Sequence, residues 1–225
     1  MSTAYWNRYA VGAANAVPDD ESALTFGWTQ YPSHGPGIEL LGDPRSSVEL
    51  GCGRGDAVAA LAARGVDATG VDISGAQCEQ ARRRWGHVVG ARFEHAEVLE
   101  FLAAAHRSWD AVYSIWGAIW FLDPAVVLPL VRQRLAPGGR LVFSHAPPVP
   151  GAYGKQGMYG APFTANPLWV YRWSYEPDVW AELLRRYGFG DIHVRVEAAP
   201  GPGKVGTLIV EAGRGSGPAR VVADG

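Results

Sequence analysis

An α/β fold built on a parallel sheet is what this sequence predicts, and three observations carry that prediction. Short apolar strand-like segments alternate with helical ones five times between Val48 and Ser144. The first of these strands runs directly into a turn of alternating glycines that opens a helix. The second strand ends in an aspartate, Asp72.

The elements follow in order. Residues 48–50 form an apolar strand interrupted only by Glu49. Gly51, Gly53 and Gly55 then allow a sharp turn and a close approach to a ligand without Cβ interference. From Asp56 onward, Ala57, Val58, Leu61 and Ala62 recur at helical spacing. A second strand covers 67–71, and a helix over 74–85 is capped by Ser74. Residues 91–94 form a third strand, 98–105 a helix and 110–114 a fourth strand. The next helix, 124–135, takes Asp123 as cap and Pro124 in its first turn, with a kink expected at Pro129. A turn at Pro137-Gly138-Gly139 leads into a fifth strand over 140–144. Residues 146–176 lose periodicity but keep aromatics and prolines. A helix over 178–187 follows, then strands 191–196 and 205–210, whose Pro- and Gly-rich connection over 198–204 fits a hairpin.

Composition narrows the function classes. The 225 residues fit one large domain, 48% hydrophobic and 19% charged, which is a globular composition. The net charge is −2, and the one dense cation cluster, Arg82-Arg83-Arg84, falls within a helical pattern as a solvated helix end. No nucleic-acid partner is therefore expected. The two cysteines, Cys52 and Cys78, do not suggest a disulfide framework. The first ten residues hold Trp6, Asn7 and Arg8 rather than an apolar leader core, and no apolar run reaches membrane-spanning length. A soluble cytoplasmic protein, monomeric or homodimeric, is expected. His87, His95, His106 and His193 lack metal-ligand spacing, so no metal is expected. Abundant Ala, Gly and Arg suggest a GC-rich bacterial source.

Strand, glycine turn and helix N-terminus together form a cradle of backbone N–H groups, and Asp72 is placed to grip two ribose hydroxyls. This is a nucleoside-binding βαβ unit. The dinucleotide fingerprint is G-x-G-x-x-G, whereas this chain has G-x-G-x-G with Asp56 where the third dinucleotide glycine would fall. A carboxylate there occupies the helix start and repels a phosphate. Glu49 adds a second negative charge beneath the loop, which suits an ammonium-bearing ligand. An NAD(P)-dependent oxidoreductase and a non-catalytic cofactor-binding module remain as alternative readings.

The run E-L-G-C-G-R-G with the downstream G-V-D resembles the class I S-adenosylmethionine-dependent methyltransferases. The resemblance covers roughly residues 45–211. It implies a Rossmann-like doubly wound sheet, mostly parallel and seven-stranded, with a C-terminal antiparallel hairpin strand and helices on both faces. Residues 1–44 then form an N-terminal arm, 146–176 an insertion acting as an acceptor lid, and 212–225 a flexible tail. The implied cofactor is S-adenosylmethionine. Glu49, Gly51, Cys52 and Gly53 would hold its methionine part, Asp72 its ribose, and Ile73 and Gln77 its adenine. The end of the third strand, Ala96-Glu97-Val98, would meet the adenine edge, with Glu97 where the family more often has Asp. Ser114 and Ile115 would pass beneath the methionine part.

For the acceptor, three aromatic segments are expected to converge beyond the strand ends. The arm offers Tyr5, Trp6, Tyr9, Phe26, Trp28 and Tyr31; the exit of strand four offers Trp116, Trp120 and Phe121. The insertion offers Tyr153, Tyr159, Phe163, Trp169, Tyr171, Trp173 and Tyr175. A small, aromatic or partly apolar acceptor is expected, methylated at O, N or C, in bacterial specialised metabolism. His145, at the exit of strand five, is the first candidate for a general base and His34 the second. Tyr31 and Tyr153 are candidates to orient the acceptor. A neutral amine would need no base, so the base stays open.

Overall fold

The computed structural model describes residues 3–14, 24–159 and 168–215. The chain begins with helix α1 (Thr3–Ala14) and a single 3-10 turn at Ile38–Leu41. Then follow β1 (Ser46–Leu50), α2 (Asp56–Ala62), β2 (Asp67–Asp72), α3 (Gly75–Trp85) and β3 (Ala91–His95). Helix α4 (Val98–Ala104), β4 (Trp109–Ile115), the short α5 (Ala118–Phe121), α6 (Pro124–Arg134) and β5 (Leu135–His145) come next. The chain closes with β6 (Gly154–Tyr159), β7 (Trp169–Ser174), α7 (Pro177–Arg186), β8 (Phe189–Glu197) and β9 (Thr207–Arg214).

Seven strands make one sheet in the order β3-β2-β1-β4-β5-β9-β8. Neighbours from β3 to β5 pair in parallel, and β9 runs antiparallel to both β5 and β8. The predicted Rossmann-like sheet with its late hairpin is therefore the observed fold. Strand order reverses between β1 and β4, and such a switch point leaves a crevice beyond the carboxyl ends of the strands.

Alternation along the strands feeds two apolar layers. Leu50, Val112, Leu141, Phe143 and Val210 face a cluster completed by α4, α6 and α7. Ala68, Ala111, Tyr113, Val142 and Ile209 face the other, which takes in α2, α3 and Trp28 of the N-terminal segment. Each fully buried leucine or phenylalanine contributes about 1.5–3 kcal/mol, so the layers fix which side chains meet the strand ends. Side-chain caps set two of the helix starts: Ser74 accepts from the Gln77 amide and Asp123 from the Ala125 amide.

Three expectations need correction. Helix α6 continues through Pro129 and stops at Arg134, and the predicted turn at 137–139 is absorbed into β5 as a register irregularity opposite Trp109 and Ala111. The tail expected from 212 begins later, because Ala212 pairs with Leu141 and Gly213 with Arg140 in the sheet. Residues 146–176 contain a separate antiparallel ribbon, β6–β7. Its inward residue Val170 packs on Trp120 and Phe121, while Trp169 and Tyr171 face out, 55% and 51% exposed. Phe163 lies outside the described residues.

Candidate active site

A cavity of about 740 Å³ opens where β1, β2 and β4 end. The glycine turn forms its floor. Gly51 has φ 82°, and a Cβ there would come within 2.5 Å of the Ala118 amide nitrogen, so backbone packs directly on backbone. Gly53 has φ 51°, with open space where a Cβ would stand. The Gly53 amide donates to Asp72 Oδ2 at 2.9 Å, and the Ser74 amide donates to Asp72 Oδ1 at 2.8 Å. Both Asp72 oxygens thus accept from backbone, with the Ile73 amide contributing as well, and a carboxylate's remaining acceptor capacity is available to a ligand hydroxyl. Burial raises the Asp72 pKa, with the backbone N–H groups acting against that shift.

Glu49 lies beneath the turn, 3% exposed, and its Oε2 has no hydrogen-bond partner. Burial, with Asp56 and Asp72 adding repulsion, holds its carboxyl well above the usual carboxylate range. The Tyr113 hydroxyl acts against that rise, and the unpartnered Oε2 facing the cavity is costly unless a donor or cation arrives to meet it. Gln77 is similar: it is 7% exposed, lines the cavity, and its Oε1 has no partner. Ile73, Val98 and Ile115 supply apolar wall, and Cys52, its thiol pushed well up by burial, completes the turn. Asp56 also lines the cavity. It does not cap α2, whose N-cap is Gly55, and it pairs with Arg84 at 3.6 Å.

Three expected cofactor positions stand elsewhere. Glu97 is the N-cap of α4, its Oε2 accepting the Leu99 amide at 2.8 Å and the Glu100 amide at 3.2 Å. Its longer side chain folds back onto its own helix, so it does not line the cavity. Ala96 packs against the core cluster under α4 and α6. Ser114 is a brace: its hydroxyl donates to Leu50 O at 2.7 Å and accepts from the Ile119 amide at 3.3 Å.

At the other end the cavity is walled by Trp6 and Tyr9 of α1, by Phe26 and Tyr31, and by Trp116 and Phe121. Trp6 meets Phe121 edge to face at 4.7 Å. Trp116 has φ 49°, a left-handed backbone rare for a bulky residue. Its indole N–H donates to Trp28 O at 3.1 Å, and Ser144 Oγ donates to the same carbonyl at 2.7 Å. Trp28 is fully buried, its own indole N–H donating to Gly37 O at 2.7 Å. The segment continues along the β8–β9 turn, where Tyr31 Oη and Gln30 Nε2 both donate to Val205 O, at 2.8 and 2.9 Å.

The candidate catalytic residues need revision on these contacts. Tyr31 lines the cavity with its ring, but its hydroxyl is committed to Val205. The His34 ring donates through Nε2 to Ala198 O at 2.7 Å and faces the hairpin, away from the lining. His145 shares its face of β5 with Phe143 and so points under α7. It is fully buried, donates through Nδ1 to Ala146 O at 2.7 Å, and stacks on Trp120 at 5.3 Å. Burial lowers its pKa to about 4. Trp120 is stacked on that ring outside the lining, and no described residue of 146–176, Tyr153 included, lines the cavity. Sequence reasoning missed Thr29, Gln30, Gly117 and Ala118 as lining residues. Only the glycine after Trp116 hinted at the last two.

Comparison with known proteins gives a consistent picture. Residues 48–139 match a family described as a methyltransferase domain. An O-methyltransferase of Penicillium expansum is 34% identical over 144 residues, covering 62% of this chain and 49% of that protein. A trans-aconitate 2-methyltransferase of Methylobacterium radiotolerans is 36% identical over 113 residues, covering 47% of this chain and 42% of that protein. The chain thus spans about half the length of the curated relatives it matches, or less. Among solved structures, Burkholderia thailandensis 1,6-didemethyltoxoflavin-N1-methyltransferase superposes with a TM-score of 0.61 at 21% identity. That alignment covers 94% of this chain and 88% of the other, and shows a shared fold.

Proposed function

We propose that this chain, whose residues 48–139 carry a methyltransferase domain, transfers a methyl group from S-adenosylmethionine to a small, flat, partly apolar acceptor. One observation carries the reading. Asp72 ties down the glycine turn at the cavity's edge and keeps acceptor capacity toward the cavity, beside a buried Glu49 oxygen, Oε2, that lacks a partner. A ribose diol and an ammonium group supply what these two carboxyls are missing.

S-adenosylmethionine supplies an electrophilic methyl carbon on a cationic sulfur. On this reading Asp72 takes the ribose hydroxyls, Ile73 and Val98 press on the adenine, and Gln77 meets its edge. Glu49 receives the ammonium. The aromatic wall from Trp6, Phe26, Trp116 and Phe121 excludes water and holds a flat acceptor in line with the methyl carbon, and positioning of this kind supplies most of the acceleration in a displacement. The acceptor lone pair forms the new bond as the carbon–sulfur bond breaks, and sulfur keeps the electron pair. His34 is bonded to Ala198 and His145 is buried under Trp120, so the geometry favours an acceptor whose lone pair is available without a histidine base.

Calorimetric titration with S-adenosylhomocysteine and, separately, with NADH tests the donor. Binding of NADH in preference to S-adenosylhomocysteine would overturn the reading. Release of S-adenosylhomocysteine from S-adenosylmethionine across a panel of aromatic amines and phenols tests turnover. Tight cofactor binding with no turnover on any member would favour a non-catalytic module.

A further inference from the structure

The cavity combines two features that act on charge in the same direction, aromatic walls at the acceptor end and acids at the adjoining donor end. Its acceptor end is walled by six aromatic residues, Trp6, Tyr9, Phe26, Tyr31, Trp116 and Phe121, whose rings carry no net charge and have negative potential on their faces. The ionisable acids lining the same space are Glu49, Asp56 and Asp72. Among the described residues, no Lys, Arg or His side chain lines it. Neighbouring cations, Arg54 of the glycine turn among them, are not lining residues. Arg84 is paired with Asp56 at 3.6 Å, Lys204 sits over the Tyr31 ring at 5.4 Å, and Arg8 on α1 is exposed. Residues 15–23 and 160–167 contain no Lys, Arg or His in their sequence; the tail 216–225 contains one, Arg220.

We infer that this cavity selects its acceptor by charge, admitting flat neutral or cationic molecules and rejecting carboxylates. The inference rests on the methyl-donor reading above and narrows it. An anionic acceptor needs cations or free donors to replace its hydration on entry; the lining offers no cationic side chain, and of its neutral donors the Thr29 hydroxyl and Gln30 amide are already committed to backbone carbonyls. A cationic or neutral ring system loses less and gains contact with the aromatic walls. A tricarboxylate, the acceptor named for the Methylobacterium radiotolerans relative, is therefore a poor fit to this chain.

The test uses an isosteric trio: tryptophol, neutral; tryptamine, cationic at neutral pH; and indole-3-acetate, anionic. Each is titrated calorimetrically into the free chain and into the chain loaded with S-adenosylhomocysteine, with trans-aconitate as a fourth ligand. Tryptophol or tryptamine is expected to bind about tenfold or more tightly than indole-3-acetate, and trans-aconitate to give no binding heat. Added salt is expected to narrow the gap, which a steric discrimination would not show. Indole-3-acetate or trans-aconitate binding as tightly as tryptophol would overturn the inference. So would a gap indifferent to salt, or no binding of tryptophol and tryptamine at millimolar concentration. Because the free chain is measured too, a failure to bind S-adenosylhomocysteine would count against the donor reading alone and still leave the charge selection measured.

Discussion

Asp72 accepts the Gly53 amide N–H at 2.9 Å, so the acid that ends the second strand also holds the turn that follows the first. Asp72→Ala removes that tie together with the ribose contact. Loss of charge-assisted bonds worth about 1.5–3 kcal/mol is expected to weaken S-adenosylhomocysteine binding by about 10- to 100-fold. Calorimetry on a variant shown by circular dichroism to be folded checks this, and unchanged affinity would remove Asp72 from the site.

Glu49 sets a pH signature for cofactor binding. Burial, then repulsion from Asp56 and Asp72, raises its pKa well above the carboxylate range in the free chain. A cation placed against it must lower that pKa, so cofactor binding is expected to be coupled to proton release. The apparent binding enthalpy should then differ between phosphate and Tris buffers for the parent chain and become buffer-independent in Glu49→Gln. Buffer-independent heats in the parent chain would contradict the pairing.

His145 is expected to matter for stability and little for turnover. Its pKa falls from 6.5 to about 4 in the folded chain because burial disfavours the charged ring. The unfolded chain therefore binds more protons between those values, and stability from this group is full above pH 6.5 and lost as pH falls toward 4. At about 1.4 kcal/mol per unit, roughly 3–4 kcal/mol is at stake. Urea denaturation of the parent chain and of His145→Phe should show a stability difference that shifts in the variant's favour on acidification. A pH-independent difference, or a folded variant without methyl transfer, would argue against this placement.

The Trp28 carbonyl joins three segments, accepting from Trp116 and Ser144 while its indole bonds Gly37. Trp28→Ala is expected to cost about 3–5 kcal/mol, the range for deleting a large buried aromatic, and to leave the Gly37 carbonyl without its indole donor. Thermal denaturation should register a drop of several degrees, accompanied by a rise in KM for any acceptor larger than the loss of cofactor affinity. Equal losses in both would show that Trp28 does not selectively support the acceptor wall.

Much of this was legible in the sequence, and the reason is burial. Strands β1, β2, β4 and β5 are covered on both faces, so their apolar runs stand out, and position at a strand end pointed to Asp72. Where reading by strand end went astray, parity was the missing step. Leu141, Phe143 and His145 alternate along β5, and the first two belong to the layer under α7, so the histidine follows them inward. Glu97 was misassigned for a related reason: an acid immediately before a helix serves its own amides first. The β6–β7 ribbon escaped notice because its outward side chains are as aromatic as its inward ones. Nothing in residue type alone separated cavity wall from ribbon surface.

The N-terminal segment reaches Trp116 and Ser144 through Trp28, and Val205 through Gln30 and Tyr31, across sequence separations of 88 to 175 residues. Contacts of that span form only after most of the chain has been ordered. The donor pocket, made from adjacent strands, can therefore mature before the acceptor wall exists. A nascent chain would be competent to hold its cofactor first and to discriminate among acceptors last, which makes substrate selectivity the latest-acquired property of the folding molecule.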